Sequence, residues 1–506
     1  MDGLVHALNA VTSVPILTAA AGGVIWGILG GALPGLSPSI AMALLLPFTF
    51  SMSPLAAVVM LSAVYIGAEY GGSIPAILIR TPGTNAAAAT VVDGYTLHQR
   101  GRGDEALGLS LVAGTIAGLV GLVCLVLLIQ PLSGLALLFS PPSYFALAVL
   151  GLSIIAALSE GSLLKGMIMG VLGLMIAMIG TDPLSGITRF TFGNPELLGG
   201  VHYMFIMLGV FAVAELMSKV SEPYDPASEK ISKTIKRVKL PSLKKLWELR
   251  RALVIGTGFG VIEGPIPGAG GTVASFLAYN EAKRWSKTPE RFGQGSEEGV
   301  VAPEAANNAV TSSALVPTLA FGIPGSNSMA ILLGGLLIHG VQPGPMLLTS
   351  RPDLVYGLFG GLFLSNLFML LFGMLILTPC IWLVSRPKPF LVAGIFMIVF
   401  SGIYSMNQSL FDFWIVLLAG AVGYVARLLK FPVLPLILGV VLGNMVESNY
   451  RRALLLSNGD HSIFLQNALS LGLLVCAGLV IVLSLLSEMK KHRRLGKAEQ
   501  KGEQQA

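Results

Sequence analysis

Two short turns in this sequence join a chain-breaking dipeptide to groups that bind ions. They read Pro82-Gly83-Thr84-Asn85 and Pro324-Gly325-Ser326-Asn327. Proline removes a backbone donor and glycine favours turn conformations, so neither continues a regular helix. The Ser, Thr and Asn that follow are good caps for a helix restarting there. The free N–H groups and positive dipole end of such a half-helix suit a carboxylate. Two such ends meeting could hold two carboxylates of one small anion. The turn carbonyls, with the hydroxyls of Thr81, Thr84, Ser326 and Ser328, could also hold Na⁺, a hard cation that prefers oxygen. The competing reading is a pair of Pro-kinked packing helices whose Asn and Ser merely cap helix ends. Candidate anion contacts in the first stretch are Ser73, Arg80, Thr81, Pro82, Gly83, Thr84 and Asn85. In the second stretch they are Pro324, Gly325, Ser326 and Asn327. Arg80 either grips a substrate carboxylate bidentately or snorkels or pairs with Glu69 or Asp93.

The turns belong to a longer correspondence. At an offset of 324 − 82 = 242 residues, Pro75 meets Pro317, Gly83 meets Gly325, Thr84 meets Ser326 and Asn85 meets Asn327. Upstream, Pro34-Gly35 resembles Pro267-Gly268 at an offset of 267 − 34 = 233 residues. We read an internal repeat, with hairpins near 72–93 and 312–338. The run Glu263-Gly-Pro-Ile-Pro267-Gly268-Ala-Gly270-Gly-Thr272 looks like a phosphate loop, but no Gly-Lys-Ser/Thr follows, so a nucleotide site is rejected. Pro267, Gly268 and Gly270 are instead candidate anion contacts at a helix opening onto the cavity, and Ser37 lies at the counterpart break. Ser37, Asn307, Asn308, Thr311 and Ser328 are the candidate cation ligands. Glu263 and Glu304 are further candidates, because acids in apolar surroundings are often functional; an interfacial position is the alternative for Glu304. The six histidines are scattered, without a His-Glu-x-x-His, so no metal site is expected. No Cys or Ser sits beside a base in sequence. We expect no enzyme, and no cofactor beyond Na⁺ or H⁺ as coupling ion.

The elements that carry these turns must sit in lipid. The 506 residues are 54% hydrophobic and only 11% charged, against roughly 25% charged for a soluble domain. A soluble enzyme and a disordered chain are both excluded. Apolar stretches near the ~20 residues of a bilayer crossing recur throughout, among them 106–131, 144–158, 163–180, 204–217, 354–377, 390–403 and 470–486. A β-barrel would show weak ten-residue alternation instead. The expected fold is an all-α polytopic membrane protein with roughly ten to twelve crossings, two inverted repeats and two broken or re-entrant hairpins. The three cysteines, Cys124, Cys380 and Cys476, read as packing residues. Residues 1–31 contain no Lys or Arg, so they lack the basic start of a signal peptide.

Charge sets the orientation. The stretch Lys219–Arg251 carries ten basic and four acidic residues, a balance of 10 − 4 = +6. Nucleic-acid binding is set aside in favour of a long cytoplasmic loop. His98–Arg102, Arg386–Lys388, Arg427–Lys430 and Lys490–Arg494 are placed inside by the same rule. Residues 181–200, 340–353 and 446–462 fall outside. Counting crossings back from the tail makes the two copies antiparallel, the pattern of secondary transporters. The expected organisation is a first half over 1–218, a basic linker over 219–251, a second half over 252–489 and a polar cytoplasmic tail over 490–506.

Several of these motifs together resemble the large membrane subunit of tripartite tricarboxylate transporters, the TctA type. They are Gly31-Ala-Leu-Pro-Gly-Leu, Tyr70-Gly-Gly-Ser-Ile-Pro-Ala-Ile-Leu, Pro82-Gly-Thr with Asp93-Gly-Tyr95, Glu304-Ala-Ala-Asn-Asn-Ala and Phe321-Gly-Ile-Pro-Gly-Ser. The resemblance covers about residues 10–490. It implies a bacterial inner-membrane secondary transporter that imports a di- or tricarboxylate, often with sodium, and a hairpin-bearing domain that moves like an elevator. It also implies two partners, a small membrane subunit and a periplasmic solute-binding protein. A stand-alone organic-anion carrier is the alternative.

Overall fold

The computed structural model describes every residue except 1, 34–35, 135–137, 159–161, 183–184, 222–236, 267–269, 345, 385–387 and 504–506. The described chain is helical nearly throughout, with one pair of two-residue antiparallel strands, Gly180–Thr181 and Thr188–Arg189. Among the described residues, six helices are long and apolar enough to cross a bilayer: Val14–Ala32, Pro54–Ile79, Gly103–Pro131, Pro352–Leu375, Leu410–Leu428 and Ala468–Leu486. Six shorter apolar helices accompany them. This is an all-α polytopic membrane protein. The apolar run at 204–217 is not one regular helix. A π-helical segment, Leu208–Val213, separates Tyr203–Met207 from Ala214–Ser221.

The chain packs as two units, each built from two separate stretches of the sequence. The first comprises Met1–Ala136 and Met207–Gly420; the second comprises Leu137–Ile206 and Ala421–Ala506. The first unit holds both broken hairpins. Its Pro54–Ile79 helix starts where Ser53 accepts a hydrogen bond from the Ala56 N–H (3.4 Å), with Pro54 at the first turn. That helix is apolar on all faces and nearly all buried, as a central helix of a membrane bundle must be. It lies against Val14–Ala32 along a stripe of small residues. Gly23, Gly27 and Gly31 recur every fourth position on one helix and rest on the backbone of Met60, Val64 and Ala68, while Gly67 and Gly71 of the other helix rest on Val24 and Ile28. A methyl at Gly27 would overlap the Val64 carbonyl, so the backbones touch as closely as glycine allows.

The Glu298–Ser313 helix is the most polar buried element of this unit, with Glu304, Asn307, Asn308, Thr311, Ser312 and Ser313 all inside. It packs on Gly103–Gly134, Arg250–Glu263 and Gly270–Trp285. Leu315–Phe321 and Asn327–Ile338 follow it.

The second unit is built on Pro141–Leu158, Leu163–Ala177, Leu434–Leu456 and Ala468–Glu503. Gly173 and Gly439 let two of these helices approach backbone to backbone. At one end Arg189 forks onto Glu447 (2.7 and 3.1 Å) and Arg451 reaches Asp182 (2.7 Å). Tyr450 stacks on Phe464, and Phe145 packs against both at a tilt.

Candidate functional site

The two turns have the same backbone. Pro54–Ile79 ends at Arg80, a left-handed residue (φ 59°, ψ 17°), and Leu315–Phe321 ends at Gly322 in the same conformation (φ 69°, ψ 21°). These residues sit at matching positions of the repeat. The next N–H groups, Thr81 and Ile323, each bond the carbonyl of the matching proline, Pro75 and Pro317, at 3.3 Å. The hydroxyls match as well. Thr84 accepts from the Ala87 N–H and Ser326 from the Met329 N–H, both at 3.3 Å. Here the copies diverge. Ser326 caps a helix that starts at once, Asn327–Ile338. After Thr84 the chain runs through three i to i−3 bonds, Ala88 to Asn85, Ala89 to Ala86 and Thr90 to Ala87, before Ala88–Gln99 is established. The tighter 3₁₀-type bonds delay the α-helix by one turn.

Most of the predicted contacts gather around these turns. Asn85 is exposed between buried neighbours and Asn327 between half-buried Ser326 and buried Ser328, and neither side chain has a hydrogen bond among the described residues. Pro82, Gly83 and Thr84 pack inward. A methyl at Gly83 would overlap the Gly31 carbonyl, which fixes the first turn on the end of Val14–Ala32. Pro324, Gly325 and Ser328 are buried in the second turn, and Ser326 is half-buried. Arg80 and Thr81 are exposed, and no ion pair joins Arg80 to Glu69 or Asp93 among the described residues. Gly270 opens the Gly270–Trp285 helix in a left-handed conformation (φ 62°) with Ser326 Cβ about 4.0 Å from where its own Cβ would be. Pro34, Gly35, Pro267 and Gly268 lie outside the described residues.

Four other candidates are committed elsewhere. Ser37 caps Pro38–Thr49 and shares a 2.8 Å hydrogen bond with Ser39. Asn308 donates to the Glu304 carbonyl (3.0 Å), and Thr311 to the Asn308 carbonyl (2.7 Å). Asn308 faces Gly114 on the Gly103–Gly134 helix. Ser73 donates to Glu304 Oε1 (2.6 Å). Thr90 donates to the same oxygen, and Ser110 to Oε2 at 2.8 Å. Glu304 is therefore neither interfacial nor short of partners: it is fully buried and clasps three helices of the first half. Glu263 is half-buried at the end of Arg250–Glu263.

Two acids that sequence offers only as partners for Arg80, or within a motif, take other places. Glu69 is buried in mid-bundle, facing Asn307 and Thr84. One turn away, the Tyr65 hydroxyl reaches Ser326 of the second hairpin. The signal was present: Glu69 is the sole acid between Asp2 and Asp93. Asp93 is fully buried and accepts the N–H groups of Gly293 (2.9 Å), Gly295 (2.8 Å) and Ser296 (2.7 Å) on Oδ1, and the Tyr279 hydroxyl (2.8 Å) on Oδ2. Nearby, Glu297 pairs with both Arg102 and Lys245.

A polytopic helical bundle with paired helix breaks inside its core is the build of a membrane carrier. The model of the tripartite tricarboxylate transporter TctA family matches residues 17–438, and the chain belongs to that family. It is 36% identical over 478 residues to an uncharacterized 52.8 kDa protein in the TAR-I ttuC' 3'region of Agrobacterium vitis, covering 93% of each chain. It is also 34% identical over 234 residues to an uncharacterized protein in the TAR-II ttuC' 3'region of the same organism, covering 46% of this chain and 97% of that one. No solved structure matches the chain.

Proposed function

We propose that the chain is the permease subunit of a tripartite secondary transporter in a bacterial inner membrane, importing a di- or tricarboxylate by cation symport, with Na⁺ as the ion. Membership of a transporter family supplies the class. The observation that carries the site is the pair of matched turns: left-handed residue, hydroxyl cap and exposed asparagine at equivalent positions. Their N–H groups and amides offer donors to an anion with carboxylates at two ends. The halves 1–218 and 252–489 are read as inverted repeats joined by the 219–251 linker. A small membrane subunit and a periplasmic solute-binding protein complete the assembly in this reading. The binding protein delivers the organic acid, and the turn-bearing region carries it across.

The experiment is uptake of a labelled carboxylate panel, citrate first. Cells would carry the chain with its small subunit and binding protein, each omitted in turn, with and without Na⁺. Uptake that needs both partners and a Na⁺ gradient is the expected result. Uptake by the chain alone would make it a self-sufficient carrier, and no uptake of any acid would overturn the substrate class.

A further inference from the structure

Polar groups are left without partners at one place beneath the turns. Glu69 is 6% exposed and Asn307 1%. Glu69 Oε2 and both amide atoms of Asn307 lack a hydrogen bond to any described residue, although the carboxylate faces the amide and the Thr84 hydroxyl. Buried polar atoms are nearly always satisfied, and an acid deep in a membrane bundle is expensive to keep. The neighbouring carboxylate shows what satisfaction looks like here, since Glu304 accepts three hydroxyls. The helix that follows the third break, Gly270–Trp285, also comes close to Asn307. Gly271 stands against its Oδ1, where a methyl would overlap the oxygen.

We propose that Glu69, Asn307 and Thr84 form the binding site of the coupling cation, a single Na⁺, beneath the anion site of the two turns. The inference rests on the reading of the chain as a cation-coupled carrier. The donor set is a carboxylate, an amide oxygen and a hydroxyl, all hard oxygens. One carboxylate neutralises one positive charge. Among the described residues no group of three or more His, Cys, Asp and Glu is placed to hold a multivalent metal. Thr84 belongs to the first turn, and Tyr65, one turn before Glu69, reaches Ser326 in the second. A bound cation would thus offset the buried negative charge next to both turns before an anion arrives. That coupling is electrostatic and needs no contact between ion and substrate.

The test is binding of radiolabelled Na⁺ to the purified full-length chain in nanodiscs, without substrate. Glu69→Gln and Asn307→Ala should each weaken Na⁺ binding by roughly tenfold or more. Asn85→Ala and Asn327→Ala, in the turns, should bind Na⁺ like wild type. Glu69→Asp keeps the charge and should retain weakened binding, which separates loss of the ligand from loss of the fold. Wild-type Na⁺ affinity in Glu69→Gln would overturn the proposal. So would a wild-type chain that binds no Na⁺ while uptake follows a proton gradient. The assay needs neither partner subunits nor an organic acid. A chain that binds Na⁺ through Glu69 yet carries no carboxylate would sink the carrier reading and leave this site standing.

Discussion

Asn85 and Asn327 stand at equivalent places, each more exposed than its neighbours. If both turns grip the anion, Asn85→Ala and Asn327→Ala should each cut uptake by about tenfold, the worth of a charge-assisted hydrogen bond, with protein levels unchanged. Wild-type rates in both would end the symmetric-site idea. Arg80 poses a separate question. Its left-handed backbone strains a residue with a side chain by roughly 1–2 kcal/mol, and the repeat partner at that position is Gly322. Arg80→Gly should therefore raise thermal stability. A fall in uptake in that same variant would assign the guanidinium to the substrate. The turns were legible because Pro-Gly in an apolar run is a strong break signal. Glu69 is visible in sequence only as a lone acid, because Asn307, the amide it faces, lies on a helix more than 200 residues further on. For Glu304 the sequence leaves an ion ligand and an interfacial acid both open, and the burial that excludes the interface is likewise set by distant residues. Its three donors come from Ser73, Thr90 and Ser110, and no local pattern announces them.

The elements that position the site are held by close backbone approach rather than by bulky side chains. Lipid removes most of the hydrophobic drive between helices, so packing and buried hydrogen bonds must do the holding. Gly27→Leu should part the Val14–Ala32 and Pro54–Ile79 helices. Overpacking against a rigid carbonyl costs about 1–3 kcal/mol or more, so the melting temperature in detergent should fall. Gly83→Ala should push the first turn off the Gly31 carbonyl, lowering both uptake and the melting temperature. Helix existence was largely readable from apolar runs. The π-helical segment at Leu208–Val213 and the delayed start at Ala88 were not. Both arise from backbone bonding that shifts by one residue, which composition does not encode.

At the scale of the molecule, the loops carry the orientation. The Asp93 carboxylate gathers the 293–296 segment, and Glu297 joins Arg102 to Lys245. That cluster belongs to the side assigned to the cytoplasm by its basic loops. A cysteine placed at Gly101 in a background lacking Cys124, Cys380 and Cys476 should react with a membrane-impermeant maleimide only from the inside. One placed at Phe192, 90% exposed in the 181–200 loop, should react only from the outside. The opposite pattern would invert the topology. The contact units were not legible in the sequence. Each joins two stretches that are far apart in the chain, whereas a repeat is read along it.

The clasp at Glu304 bears on how such a chain is made. Three hydroxyls of the first half, on Ser73, Thr90 and Ser110, have their acceptor in a residue synthesised roughly 200 positions later. At about 5–20 residues per second, the first half waits on the order of ten seconds or more in the bilayer before that carboxylate emerges from the ribosome. Its helices can insert in that interval but cannot close. A gene split within the 222–236 segment should therefore give fragments that accumulate stably only when co-expressed, each serving as the folding partner of the other.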